Sequence, residues 1–179
     1  YFLPRQERYG AIHPIMNSVL SEHDFFDELR ALAPDFKRVA WTVCLHNTEL
    51  GVRHPEYAVR NAYGDPYHYN LCPAFEEVQE YVATLCADMA ELYELDGIAL
   101  ETPGFLPYEH GFHHEFTLLP LNRWVKWLLG LCFSDASVSG ATSAGIDVAR
   151  LRQQTMDSID HFFSNAKVVP DEIAFEWWI

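Results

Sequence analysis

The 179-residue chain, 49% hydrophobic and 15% aromatic, has the composition of a folded globular domain and enough length for one sizeable core. Twenty-six acids against twelve bases leave a net charge of −14, which repels phosphate backbones and anionic lipid and argues against nucleic-acid and membrane partners. No apolar run approaches the roughly 18 residues of a membrane-spanning helix.

In chain order, residues 1–17 read as irregular, with Ile12 to Met16 as a short strand. Ser21 and Asp24 signal a helix start, Phe25, Phe26, Leu29 and Leu32 mark one face, and Pro34 stops the helix. Arg38 to Leu45 is a β-rich run that ends in His46-Asn47-Thr48. The stretch from Glu49 to Cys72 reads as a long connection carrying several tyrosines, and a loop of that length is usually functional. Pro73 then opens a helix whose apolar stripe runs through Val78, Tyr81, Val82, Leu85, Cys86, Met89 and Leu92.

Only a few residues separate that stripe from Leu95-Asp-Gly-Ile-Ala-Leu-Glu101, an apolar run that ends on a carboxylate. Strands buried in parallel sheets read as such near-continuous apolar runs. Residues 103–118 read as a polar-aromatic loop, Leu119 to Leu129 as a helix, and Gly130 to Phe133 as a third short strand. Ser134 to Gly145 is small and flexible in composition, and Asp147 caps a last long helix. Pro170 to Ile179 starts a new element, with Ile173 to Phe175 as a further strand.

Helices alternating with strands through short joints build parallel sheets with right-handed crossovers. A (β/α)8 TIM barrel needs about 250 residues, so the reading is α/β with residues 1–179 as a single domain forming part of a barrel. The start on Tyr1 rather than Met fits a partial chain. A smaller open α/β sheet is the alternative. Cys44, Cys72, Cys86 and Cys132 have no CxxC spacing and sit in apolar segments, so they read as free thiols, which favours a reducing, cytoplasmic setting.

Trp41-Thr-Val43 with His46-Asn47-Thr48, Leu71-Cys72-Pro73 with its Glu-Val-Gln-Glu-Tyr helix, and Tyr93-Glu-Leu-Asp-Gly-Ile-Ala-Leu-Glu101 resemble the glycoside-hydrolase-like TIM barrels, many of which have no assigned substrate. The resemblance covers residues 38–105 well and the remainder loosely. It implies a carbohydrate-active barrel in which this progression spans the third and fourth strands. Leu131-Cys132-Phe133 looks like a Cys-Phe-Cys-x-x-Cys segment of some relatives. Its later cysteines are Ser134 and Ser137 here, so the resemblance carries no metal or disulfide role to that place.

Glycoside hydrolysis commonly uses two carboxyl groups, one protonating the leaving oxygen and the other attacking or activating water. Glu101, at the end of an apolar strand, is the leading candidate; the plainer alternative is an acid that orders a loop or pairs with an arginine. Glu115 and Asp135 are candidates for the second carboxyl, with Glu109 and Glu176 behind them. His46 and Asn47 end the neighbouring strand and are expected to bind substrate hydroxyls. Tyr67, Tyr69 and Tyr108 are expected to stack on sugar rings, with Tyr63, Phe105 and Phe112 in the same loops. His110, His113 and His114 are read as a polar lid contacting substrate, with an ordinary surface loop as the plainer alternative. Trp124 and Trp127, at helical spacing, read as core.

The expected function is a hydrolase that cleaves glycosidic bonds by carboxylate acid–base catalysis, with a carbohydrate substrate and no cofactor or metal. The alternatives are a non-catalytic carbohydrate-binding barrel and a metal-dependent hydrolase using His46, Glu101 and the 110–114 histidines.

Overall fold

The computed structural model of the protein describes residues 2–16, 24–111 and 121–165. Asp24 caps helix α1 (Phe25–Leu32) by accepting a hydrogen bond from the Asp27 amide. Strand β1 (Val39–Val43) follows, then a short helix α2 (Thr48–Arg53). Strands β2 (Ala58–Arg60) and β3 (Pro66–Leu71) form an antiparallel pair. Helix α3 (Glu76–Leu92) leads into strand β4 (Gly97–Glu101), and helices α4 (Arg123–Gly130), α5 (Asp135–Ser143) and α6 (Val148–Asn165) complete the order.

β1 and β4 run parallel, with Val39 opposite Gly97 and Val43 opposite Glu101. The Asp-Gly of the central run fixes that register: the Asp96 carboxylate accepts from the Arg38 amide at 2.7 Å, and the Asp96 amide donates to the Arg38 carbonyl at 2.8 Å. One face of the pair packs on α3, where Ala40, Val78, Tyr81, Leu85 and Met89 share a core with Ile12, Leu45 and Leu71. A second core joins Val125, Leu128 and Leu129 of α4 to Ile159 and Phe162 of α6.

The barrel expectation is overturned. The described residues hold two two-stranded sheets, one parallel and one antiparallel, and no barrel. The expected loop between Glu49 and Cys72 is where the parallel progression breaks. Its polar residues build a hairpin instead: the Asn61 side-chain oxygen accepts from the amides of Tyr63 and Asp65, and Gly64 takes the positive φ of 93° that the turn requires. Of the two runs expected as strands, Ile12 to Met16 lies outside regular structure, while in Gly130 to Phe133 the glycine ends α4 and the other three residues are irregular. Ser134 to Gly145, expected to be flexible, is mostly α5, capped by the Ser134 hydroxyl on the Ser137 amide. Ser21 and the run Ile173 to Phe175 fall outside the described residues.

The irregular N-terminal segment is held by one buried charge. Asp88 on α3 is fully buried and accepts from the Arg5 amide at 2.9 Å, the Arg5 Nε at 2.5 Å and the Tyr9 hydroxyl at 3.3 Å. Arg5 and Arg8 also reach Glu91, one turn further along α3. Burial alone would raise the Asp88 pKa, but the Arg5 amide and guanidinium, joined by the Tyr9 hydroxyl, outweigh it and hold the carboxyl below its ordinary value. A depressed native pKa means that the stabilisation is complete at neutral pH and is lost as the pH falls from about 4 through the native value. Asp88→Asn is therefore expected to cost about 2 kcal/mol at pH 7 and to flatten the acid limb of the melting-temperature profile. A variant whose profile overlays wild type would show that this network does not hold the segment.

Candidate functional site

Residues 44–47 form a strap between the two sheets. The Cys44 amide donates to the Glu101 carbonyl at 2.9 Å and the Leu45 amide to the Thr102 carbonyl at 3.1 Å. On the other side, the Leu71 amide donates to the Leu45 carbonyl and the Asn47 amide to the Tyr69 carbonyl. His46, Asn47, Tyr69 and Glu101 are thereby gathered around the strand ends, with Tyr69 on β3 rather than in the expected loop.

Each plays a distinct part there. Asn47 caps α2, its side-chain oxygen accepting from the Leu50 amide at 3.0 Å. His46 Nδ1 lies 3.1 Å from His110 Nε2, so one ring donates and the other accepts. His46 also meets Tyr69 edge-to-face. Tyr67 and Tyr69 stack on one another, and Tyr67 packs against Tyr108. Their hydroxyls are engaged by backbone: Tyr67 donates to the Leu129 carbonyl at 2.8 Å and Tyr69 to the Tyr108 carbonyl at 3.0 Å. Burial pushes the Tyr67 phenol up to about 12 and raises that of Tyr69 as well. The pair thus moors the 105–111 segment and the end of α4 to β3.

Glu101 is half-buried at the end of β4. Residues directly opposite in a parallel ladder project to the same side, so Glu101 shares a face with Val43, Trp41 and Ala99. That face points away from α3, and Trp41 on it is 77% exposed. Among the described residues the Glu101 carboxylate takes no hydrogen bond or ion pair, which leaves it open to a ligand. Asp135 is an exposed residue in the first turn of α5. Glu115, His113, His114, Phe112 and Glu176 lie outside the described residues.

A groove of about 720 Å³ is lined by Phe105, Tyr108, Glu109, Arg123, Lys126 and Trp127 among others. Glu109 pairs with Lys126 at 3.1 Å. Burial opposes its charge, but its own backbone amide and the Lys126 ammonium prevail and lower its pKa, so the carboxyl is anionic. Sequence reasoning missed Arg123 and Lys126, and it misassigned Trp127. Trp124 does pack on the second core, but Trp127 is 56% exposed with the Arg123 guanidinium 4.9 Å above its ring. Helical spacing shows that the two tryptophans lie near each other, and not which of them faces the core.

Among the described residues no three His, Cys, Asp or Glu side chains cluster closely enough to hold a metal ion. No described helix is long and apolar enough to cross a membrane. No protein-family model, curated protein or solved structure matches the chain.

Gly111 ends the moored segment directly against the Tyr69 ring, and a Cβ there would overlap ring carbons. Tyr69→Phe removes a single hydrogen bond and is expected to cost about 1 kcal/mol. Gly111→Ala must displace the ring and is expected to cost more, about 1–3 kcal/mol. Thermal unfolding should rank wild type above Tyr69→Phe and Tyr69→Phe above Gly111→Ala; three equal melting temperatures would remove the mooring role.

Proposed function

We propose that the chain carries a carbohydrate-active hydrolase site that cleaves glycosidic bonds by carboxylate acid–base chemistry, with Glu101 as the catalytic carboxyl. One observation carries the reading. Glu101 stands at the C-terminal end of a parallel strand, where α/β folds gather their chemistry, and its carboxylate is unclaimed by the described protein groups. The contrast with Asp88 is direct: that acid is wholly enclosed by arginine and tyrosine donors and acts as structure.

The surroundings suit a neutral, ring-shaped substrate. Trp41 offers an open aromatic face two positions before Val43, the residue opposite Glu101. The apolar faces of sugar rings stack on such surfaces, while hydroxyls need a few convergent polar groups. His46 and His110 supply polar edges close to the strand ends. Glu109, in the groove lined by Tyr108 and Trp127, is the candidate second carboxyl, held anionic by its backbone amide and Lys126.

A second reading, sugar binding without hydrolysis, is favoured by the exposed pair Phe105 and Trp127, which line the groove and offer stacking surfaces independent of Glu101. Assay of aryl glycosides and natural oligosaccharides separates the two. Glu101→Gln is expected to lower kcat/KM at least about 100-fold at unchanged melting temperature. Equal activity in wild type and variant would remove Glu101 from the chemistry. An inactive wild type that still binds glycans, with binding lost in Trp127→Ala, would favour the second reading.

A further inference from the structure

Two cysteines far apart in sequence meet where β3 ends and α5 begins. Cys72 follows Leu71, is completely buried, and has its Sγ 3.7 Å from that of Cys132. Two hydroxyls complete the cluster: Ser134 Oγ lies 3.3 Å from each sulfur, and Ser137 Oγ lies 3.5 Å from Cys72 and 3.2 Å from Ser134 Oγ. Ser134 is the N-cap of α5, so the sulfurs sit beside the positive end of a nine-residue helix.

Cys72 and Cys132 differ in access. Cys132 is partly exposed and lines an open groove of about 590 Å³, together with Ala74, Phe105, Leu131, Ala136 and Ser137. Cys72 stands behind it in the core. An accessible thiol backed by a buried one within a short movement of bonding distance is the arrangement a dithiol exchange centre needs: the outer sulfur attacks and the inner one resolves. Bonding requires closure of the sulfurs from 3.7 Å to about 2.05 Å.

We propose that Cys132 and Cys72 form a thiol–disulfide exchange site for small organic disulfides that enter through this groove. The Cys132 thiolate attacks one sulfur of the disulfide, whose S–S bond breaks; one thiolate leaves and takes a proton from water. Cys72 then gives its proton to water and attacks the Cys132 sulfur, expelling the second thiolate, which is protonated in turn. One external disulfide is reduced to two thiols, and the two cysteines are oxidised to one intramolecular disulfide.

The electrostatics of the pair agree with this division of labour. The hydrogen bond from Cys72 is the largest influence on Cys132 and lowers its pKa; burial opposes it, and the Ser134 and Ser137 hydroxyls and the Ser134 backbone amide reinforce it. The same bond, with burial, raises the pKa of Cys72. Thiolate is the reactive form, and at about pH 6 an ordinary thiol is almost wholly protonated. Cys44 and Cys86 are internal controls, since burial pushes both thiols up.

The test exposes the fully reduced protein to oxidised glutathione at about pH 6, with quenched samples mapped by peptide mass spectrometry. Wild type is expected to yield a Cys72–Cys132 cross-link at least about tenfold faster than glutathione appears on Cys86. Cys72→Ser, which places a third hydroxyl in a cluster that already has two, is expected to hold glutathione on Cys132 as a stable mixed disulfide. Cys132→Ser should leave Cys72 unmodified. Modification of Cys86 as fast as Cys132 in wild type would overturn the proposal, as would a wild type that accumulates the mixed disulfide without closing the cross-link. The wild-type kinetics decide the matter even where a variant fails to fold.

Discussion

Four residues, Cys44 to Asn47, hold the two sheets of this molecule together. Their backbone groups bond to Glu101 and Thr102 on one side and to Tyr69 and Leu71 on the other. Removed from this double ladder, β1–β4 and β2–β3 would be separate two-stranded sheets, and isolated pairs of strands are marginal in water. With it, Cys44, Leu45 and Leu71 enter a common core with α3. The strap also explains why polar His46 and Asn47 stand at the edge of the core: His46 bridges to Asn70 between the bonds of the Leu45 carbonyl and the Asn47 amide, while their side chains meet His110 and cap α2. Any movement of the strap would carry Glu101, His46 and the tyrosine stack with it.

The molecule treats its acids in two ways, and the difference separates scaffold from site. Asp88 is surrounded by donors from the N-terminal segment, so its charge is compensated as a buried charge must be. Glu101 is half-open on the sheet face that α3 does not cover. Asp96, although exposed, belongs with Asp88 in kind, because its carboxylate locks the register of the strand on which Glu101 rides. In the run from Asp96 to Glu101, one acid sets geometry and the other is presented.

Much of this was legible in the sequence where periodicity and chain distance were short. The stripe Val78, Tyr81, Leu85, Met89 placed α3 correctly, and the apolar run before Glu101 marked β4 as a strand, which the structure pairs with β1. Reading failed where a polar side chain redirected the backbone. Asn61 folds a presumed loop into a hairpin, and Ser134 starts a helix in a stretch whose small residues suggested flexibility. Asp88 sits on the apolar stripe's flank and signalled nothing, since its arginine partners lie about eighty residues earlier. The barrel inference went wrong for a related reason. Alternation of helix and strand predicts parallel pairing only when the connections are plain crossovers, and here one connection contains an antiparallel pair of its own.

The groove lined by Phe105, Tyr108 and Trp127 shows how an acidic protein can carry cations without leaving them as open positive charges. At a net charge of −14 the surface repels anions at long range, yet α4 turns Arg123 and Lys126 toward the groove. Neither is left as a bare attraction for phosphate: Lys126 is matched by Glu109, and Arg123 lies over the Trp127 ring. A cation over an aromatic face spends its field locally, and an ion pair presents both donors and acceptors at almost no net charge. What remains is aromatic surface edged by paired polar groups, the composition on which the proposed sugar-site reading rests. Mutual neutralisation is thus the feature of α4 that bears most directly on that proposal.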